Sequence, residues 1–283
     1  MSVPFFLTPE DDESWLSYLR RGSRAYGWSL MSVARALGVT DGDKFPNRYM
    51  FHPSAATTER WLGSEKQLEA MFLGELAHVH RPSWEFKPAR RIAREDWFHV
   101  SATPVCPACL TAGAGHWRLS WHVPFVFMCL EHRRLLSATC SECGRPHGSG
   151  RRDGSVVPNF QHHVADTRTC MNPADSDRQA DRVRMKQPCG ADLRREATSS
   201  ITDERVVGAQ RHVLEVMRGE RQPRTFGVEV TPHEWFADVR CLTKWVLRVG
   251  PEALAEGLPE PLASVWRDHV DEQLHPIELL EHP

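Results

Sequence analysis

The sequence lacks the features of several common protein classes. No apolar run approaches the ~18 residues of a membrane-spanning helix, which predicts no membrane partner. Met1–Glu13 is acidic and lacks the basic-then-apolar profile of a signal peptide, so a cytoplasmic protein is expected. The formal net charge is −2, so the chain is not a basic protein that coats nucleic acid.

Sequence motifs of common enzymes are also missing. The chain has neither a GxxxxGK[ST] phosphate loop nor a GxSxG nucleophile elbow. His233-Glu234 does not extend to HExxH, because Ala237 stands where the second histidine would be. The zinc-deaminase pattern fails too, since no H-x-E lies upstream and Val105, not proline, precedes Cys106. These absences predict that the chain is not an enzyme.

The unusual content is eight cysteines and 15 histidines among 283 residues. In a chain expected in the cytoplasm, clustered cysteines indicate metal binding more than disulfides. Cys106 and Cys109 form a C-x2-C pair, and Cys129 and His132 follow after nineteen residues as C-x2-H. A C-x2-C turn chelates one ion, and a second pair completes its tetrahedron. This spacing predicts a first structural zinc site.

A second C-x2-C pair, Cys140 and Cys143, is followed by Gly144, which suits a positive φ. Its partners are predicted to be Cys170 and Cys189, with His147, His162 or His163 as possible substitutes. A crossed arrangement, in which the Cys106/Cys109 pair and the Cys140/Cys143 pair share one zinc, stays open. A redox role is disfavoured because three ligand pairs, two C-x2-C and one C-x2-H, fall within 38 residues. Two closed four-ligand shells predict structural rather than catalytic zinc.

The remaining cysteine and the tryptophans near the first site are given structural roles. Cys241 lies in a helical pattern and is expected to be a small buried hydrophobe. Trp117 and Trp121 stand four residues apart on the approach to Cys129. We expect both to pack over a small zinc core rather than stack on bases.

Composition divides the chain into three predicted domains and a mainly α fold. Residues 1–100 read as a helical, helix-turn-helix-like domain. Residues 101–197 are loop-rich and hold seven of the eight cysteines, which predicts a small, zinc-ribbon-like region with two tandem zinc sites. Residues 198–283 read as a helical C-terminal domain. Charge is uneven, with 18 Lys and Arg against 11 Asp and Glu over 81–195, and one against eight over 252–281.

Capping signals and apolar periodicity locate the helices. Thr8-Pro9 predicts the start of a first helix and Gly27 its end, and a short second helix follows that ends at Gly38. Three later helices are also predicted. A Ser64/Gln67 capping box starts the first, whose apolar residues are Leu68, Met71, Phe72 and Leu76, and the second spans about Asp203–Arg218. The third begins at the capping box Thr231-Pro232-His233-Glu234 and ends at Gly250-Pro251, and its apolar face consists of Trp235, Val239, Leu242, Val246 and Val249.

Several of these motifs together resemble one known family. The stretches concerned are Glu13-Ser14-Trp15-Leu16-Ser17-Tyr18-Leu19, Cys106-Pro-Ala-Cys109-Leu110, Trp117-Arg-Leu-Ser-Trp121, Cys129-Leu-Glu-His132, Leu135-Leu136 and Cys140-Ser-Glu-Cys143-Gly144. This combination is similar to the TniQ family of transposition proteins. The resemblance covers residues 9 to about 40 and 104 to about 192.

The resemblance implies a non-catalytic adaptor for target-site selection in heteromeric, Tns-type transposition. Such proteins link target DNA, or a DNA-bound complex, to the transposon's AAA+ ATPase of the TnsC or TniB type. The TnsD branch reads a specific attachment site, and CRISPR-associated members sit on an RNA-guided effector complex. An effector complex and a second copy of the chain, as a homodimer, both stay open as partners here. The implied ligands of two structural zinc ions are Cys106, Cys109, Cys129 and His132, then Cys140, Cys143, Cys170 and Cys189.

A zinc-containing helix-turn-helix regulator outside any transposon is the alternative function, and a protein-interaction scaffold is a third class. In either DNA-binding reading, the first two helices offer candidate phosphate contacts at Arg20, Arg21, Arg24 and Arg35. The simpler interpretation is that these four arginines are solvent-exposed surface residues without a role in binding. A salt-dependent DNA-binding assay separates the scaffold from the other two classes.

Overall fold

The structure, a computed structural model, is mainly helical with a few short strands. It describes residues 7–39, 51–79, 98–99, 102–123, 125–148, 151–152, 155–156, 163–172 and 187–249. The elements, in chain order, are α1 (Trp15–Tyr26), α2 (Leu30–Ala36), α3 (Ala55–Arg60), α4 (Glu65–Glu69), a 3₁₀ helix (Leu73–Val79), α5 (Pro107–Thr111), a 3₁₀ helix (Leu119–His122), β1 (Met128–Cys129), β2 (Arg134–Leu135), β3 (Arg151–Arg152), β4 (Ser155–Val156), a 3₁₀ helix (Leu193–Arg195), α6 (Glu204–Met217), β5 (Arg224–Thr225), β6 (Val228–Glu229) and α7 (Pro232–Val249).

Helix α1 begins later than the Thr8-Pro9 signal predicts. Its N-cap is Ser14, whose hydroxyl accepts a hydrogen bond from the Ser17 amide. The preceding residues instead form a turn at Asp11 and Asp12 and a bridge between Glu13 and Arg118, and a tertiary backbone bond holds them there: the Leu119 amide donates to the Asp12 carbonyl at 2.6 Å. The predicted end is correct, since Gly27 has a φ of 65° and donates to the last carbonyls of the helix.

Helices α1 and α2 pack on each other as the predicted helix pair. Ser29 caps α2, and Gly38 follows it with a φ of 93°. The residues 163–165 lie along the turn between the two helices, where the Leu30 amide donates to the His163 carbonyl and the Ala165 amide to the Ser23 hydroxyl. The helix pair is therefore tied to the segment that leads into Cys170.

The Ser64/Gln67 capping box is present, but the helix that it starts is short. Ser64 and Gln67 exchange side-chain and backbone hydrogen bonds, and α4 ends at Glu69. The chain then continues as a 3₁₀ helix that is kinked at Leu76. The apolar residues of the predicted helix, Leu68, Met71, Phe72 and Leu76, are all buried.

The described part of the cysteine-rich region contains only short elements. Strands β1 and β2 pair antiparallel, with Met128 opposite Leu135 and Cys129 opposite Arg134. Strands β3 and β4 form a second two-stranded pair, as do β5 and β6. Two-residue strands bury little apolar surface, so this region depends on other contacts for its stability.

The C-terminal helices begin where capping predicts. Asp203 caps α6, and Thr231 and Glu234 form the capping box of α7. The predicted apolar face of α7 is wrong at Leu242, which is 48% exposed, while Phe236 and Arg240, which lie outside the predicted face, are buried. Of the other predicted members of that face, Trp235 and Val239 are half-buried, the side chains of Val246 and Val249 lie outside the described residues, and so does Gly250-Pro251.

One core cluster joins all three predicted regions. Trp15 of α1 stacks on Phe72 with ring centroids 5.1 Å apart, and Phe125 stacks on Phe236 of α7. Buried Trp117 and Met217 belong to the same cluster. The three domain boundaries stay a prediction. In the part of the chain that the structure describes, no helix is both long enough and apolar enough to cross a membrane.

Candidate metal centres

The first cluster is assembled by α5 and the β1–β2 hairpin. Cys106 is the N-cap of α5 and Cys109 lies inside that helix, while Cys129 ends β1 and His132 lies in the following turn. Their ligand atoms lie within 4.8 Å of one another. A Val105–Ser137 bridge fixes the start of α5 beside the end of the hairpin. The C-x2-C and C-x2-H pairs therefore meet as the sequence predicts.

The distances within this cluster match a tetrahedral zinc site. Zn–S bonds of about 2.3 Å and Zn–N bonds of about 2.0 Å place two sulfurs about 3.8 Å apart and a sulfur and a nitrogen about 3.5 Å apart. The Cys109 and Cys129 sulfurs are 3.5 Å apart. His132 Nδ1 lies 3.7, 3.2 and 3.5 Å from the sulfurs of Cys106, Cys109 and Cys129.

The second cluster brings together Cys140, Cys143, Cys170 and Cys189, again with all four sulfurs within 4.8 Å. Cys140 and Cys189 are 3.9 Å apart and Cys143 and Cys170 are 3.8 Å apart. Both distances fit the edge of a zinc tetrathiolate.

Local backbone geometry positions these four cysteines. Gly144 has a φ of 63° and donates to the Cys140 carbonyl, which closes the C-x2-C turn. The two single cysteines meet because Cys170 donates to the Ala191 carbonyl, Gly190 to the Cys170 carbonyl and Cys189 to the Asn172 carbonyl.

The two groups decide between the alternatives that the spacing leaves open. The crossed pairing is wrong, since the Cys106/Cys109 pair and the Cys140/Cys143 pair belong to different clusters. His147 is not a ligand in this geometry, because its Nε2 hydrogen-bonds the Ser137 hydroxyl at 2.9 Å. His163 belongs to neither group of four, and His162 lies outside the described residues.

The electrostatics of both clusters favour a bound cation. Burial raises the pKa of Cys140 to about 11 and also raises the pKa of Cys170. In the first cluster, hydrogen bonds from Cys109 and Cys129 lower the pKa of Cys106 to about 3, whereas the pKa of Cys109 is raised by its bonds to the same neighbours. Several thiolates can share so small a space only if a cation replaces their protons. Zn²⁺ fits the donor set of both clusters.

The surroundings of the clusters include two side chains that sequence reasoning missed. Arg118 Nη2 lies 3.9 Å from the Cys109 sulfur and also pairs with Glu131. Asn172 Nδ2 lies 3.7 Å from the Cys143 sulfur and donates to the carbonyls of Arg145 and Pro146. Such outer contacts orient metal ligands. Nothing in the spacing of Arg118 or Asn172 along the chain could have identified them.

The geometry supports a structural role for metal. Each cluster offers four protein ligands, whereas a catalytic zinc keeps an open position. Trp117 is fully buried and donates from Nε1 to the Thr167 carbonyl, and Trp121 is also buried, as a packing role requires. The prediction for Cys241 is wrong, since it is exposed on α7 and belongs to neither cluster.

The four candidate phosphate-binding arginines have different environments. The prediction is wrong for Arg20, whose side chain is buried with its guanidinium over the Trp117 ring. Arg21 is largely enclosed and pairs with Glu10 and Glu13 at 3.1 and 2.8 Å. Arg24 is half exposed and pairs with Asp166 at 2.9 Å. For exposed Arg24 and Arg35, phosphate contact stays a prediction.

Comparison with known proteins gives one match. Residues 4–136 match the family model described as TniQ. The matched stretch contains α1, α2 and the whole first cluster, and it ends before Cys140. Neither the curated proteins nor the solved structures include a match to this chain.

Proposed function

We propose, from the premise that the chain belongs to the TniQ family over residues 4–136, that it is the target-selection adaptor of a heteromeric transposition system. The family is one of generally non-catalytic adaptors associated with transposition. In this proposal the chain links target DNA, or a DNA-bound complex that includes an RNA-guided one, to a transposon AAA+ ATPase of the TnsC or TniB type.

The observation that carries the proposal is the first cluster of four ligands inside the matched stretch. Cys106, Cys109, Cys129 and His132 converge at distances that suit zinc, and they offer no open coordination position. A zinc ion with four protein ligands stabilises the fold around it and leaves no coordination position for a substrate. We therefore assign two structural Zn²⁺ ions, one to each cluster, and no catalytic activity.

A zinc-containing DNA-binding regulator outside a transposon is the second candidate. The packing of α1 on α2, with Gly27 in the connecting turn, supports a helix-turn-helix reader. A regulator must find its site alone, whereas an adaptor acts with partners already bound to DNA. Dependence on partners therefore separates the two functions.

The test is affinity capture of the tagged full-length chain from its native host, scored by mass spectrometry for an AAA+ ATPase, a transposase and effector subunits. Capture of the ATPase, repeated with the purified pair, is the expected result. The matched control is the same bait with Cys106→Ser and Cys109→Ser, which removes the first cluster. Recovery of transcription machinery or DNA without any ATPase would favour the regulator.

A further inference from the structure

Arg20 is a buried cation, and in the described part of the chain no ion pair joins it to a carboxylate. The Arg20 side chain is 4% exposed, and its Nε and Nη1 atoms have no hydrogen-bond partner among the described residues. Its guanidinium carbon lies 4.1 Å from the centre of the Trp117 ring. A ring face attracts a cation but supplies no net negative charge.

The described neighbours of Arg20 do not neutralise this charge. Among the described residues, the acidic groups that act on the charge of Arg20 are Cys170, which is anionic only as a thiolate, and Asp166, which already pairs with Arg24 at 2.9 Å. His147, which also feels the charge of Arg20, is buried, and its burial lowers its pKa to about 4, so it is neutral near pH 7. Burial of a cation without a partner is strongly unfavourable. Within the described ranges, Cys170, a member of the second cluster, is therefore the remaining source of negative charge.

We propose that Arg20 is the counter-charge of the second metal centre and that it thereby ties α1 to that centre. The inference rests on the proposed binding of zinc by Cys140, Cys143, Cys170 and Cys189. Four thiolates around one Zn²⁺ carry a net charge of about −2, which a single neighbouring guanidinium partly balances.

The local packing holds the guanidinium in place. Arg20 lies on the buried face of α1, and Gly148, five residues beyond Cys143, lies against the Trp117 ring. A Cβ atom at Gly148 would lie 3.2 Å from that ring and 3.9 Å from Arg20 Nη2. The arginine is thus enclosed between an aromatic face and the loop of the second cluster.

The first centre has an arginine of its own, which supports the assignment. Arg118 Nη2 lies 3.9 Å from the Cys109 sulfur, so its charge faces the thiolates of that cluster. Three thiolates and one neutral histidine around Zn²⁺ carry about −1. Each cluster is thus accompanied by one arginine, from outside its own C-x2-C turn.

The test measures zinc retention in three variants of the full-length, zinc-loaded chain. Arg20→Met removes the charge and keeps the length of the side chain. Arg20→Lys keeps the charge, and Arg24→Met is the matched control on the exposed side of the same helix. A zinc chelator is titrated against each protein, and cysteine alkylation mapped by peptide mass spectrometry identifies which cluster has lost its metal.

We expect Arg20→Met to lose the second zinc at about 10- to 100-fold lower chelator concentration, the range for loss of an outer contact to a metal site. The first cluster and the Arg24→Met control should behave as wild type, and Arg20→Lys should regain most of the retention. Unchanged retention in Arg20→Met, or simultaneous loss of both zincs, would overturn the inference. So would an Arg20→Lys protein that behaves like Arg20→Met, because shape rather than charge would then matter.

A second measurement covers the possibility that Arg20→Met does not fold. Coupling between charge and zinc is reciprocal, so removing the second zinc with Cys189→Ser should loosen α1. Amide exchange should then rise in residues 15–26 and stay unchanged in residues 204–217. Unchanged amide exchange in residues 15–26 would contradict the coupling between Arg20 and the second cluster. A wild-type chain without zinc in its second cluster would instead contradict the proposed zinc binding itself.

Discussion

At the scale of single residues, the buried His122 imidazole couples the stability of the fold to pH. The ring is 1% exposed, its Nδ1 lies 2.5 Å from the His99 carbonyl, and its Nε2 lies 3.2 Å from the Thr103 hydroxyl. Burial lowers the pKa of His122 to about 4 from 6.5. The folded chain therefore holds this histidine neutral at a pH where the unfolded chain would protonate it.

This difference predicts a loss of stability in mild acid. Between pH 6.5 and about 4 the unfolded state binds a proton that the folded state refuses, so the free energy of unfolding falls as pH falls. The contribution is at most about 3 kcal/mol. His122→Asn should be less stable at pH 7 and lose less between pH 6.5 and 5.5, as measured by urea denaturation. Zinc content is followed in the same samples, and parallel curves for the two proteins would contradict the assignment.

Residue identity explains why the first zinc ligand set could be predicted and the environment of the arginines could not. Ligand spacing along a chain is a local property, and Cys106, Cys109, Cys129 and His132 stand in two short motifs. The burial of Arg20 depends instead on Trp117, almost a hundred residues away. Its position in an amphipathic helix gave no sign that an arginine would lie on the inner face.

At the scale of elements, the start of α1 tests whether the helix begins at the local sequence signal or at the residue that tertiary contacts favour. Ser14 caps the helix, while Thr8 lies outside it and is exposed. Ser14→Ala should therefore destabilise the protein by about 1 kcal/mol, the usual cost of losing an N-cap. Thr8→Ala is the matched control and should change the midpoint of thermal unfolding little. A larger effect at Thr8 than at Ser14 would mean that the helix begins where its sequence first allows.

Elements with strong local signals could be predicted, and those shaped by distant contacts could not. The capping boxes at Ser64 and Thr231 and the stop at Gly27 follow from hydrogen bonds within a few residues. The inner face of α7 is set by Phe236, which stacks on Phe125 more than a hundred residues earlier. Likewise, Cys170 and Cys189 lie close together because backbone hydrogen bonds join the segment 170–172 to the segment 189–191.

The zinc clusters are the next test at this scale, because short strands need them for stability. Wild-type protein should contain about two zinc ions per chain, and Cys109→Ser about one, with alkylation now reaching Cys106 and Cys129. Each bound zinc contributes on the order of 10 kcal/mol in small zinc modules, so loss of helix and cooperative unfolding should follow around α5 and the β1–β2 hairpin. Cys241→Ser, in an exposed residue of neither cluster, is the control and should retain both ions. Two zincs in Cys109→Ser would show that the ligand assignment is wrong.

At the scale of the whole molecule, charge limits what the chain can do on DNA by itself. Its formal charge is −2, and seven thiolates against two Zn²⁺ add about three negative charges. Many arginines are already paired with carboxylates, such as Arg133 with Glu204, Arg205 with Asp203 and Arg224 with Glu229. A chain with a net negative charge gains little from long-range attraction to phosphates, and non-specific DNA affinity follows the number of phosphates neutralised.

An adaptor can function with this charge, because partners bound to the same DNA raise its local concentration without any new contact. We therefore expect a duplex titration of the chain alone at ~0.15 M salt to give a Kd weaker than micromolar. Addition of the cognate ATPase, or of a target-bound complex, should strengthen binding by about 10²-fold or more. Arg24→Ala with Arg35→Ala should weaken the combined complex without changing capture of the ATPase. Nanomolar, sequence-specific binding by the chain alone would contradict partner dependence and leave an autonomous site reader of the TnsD type, or the regulator.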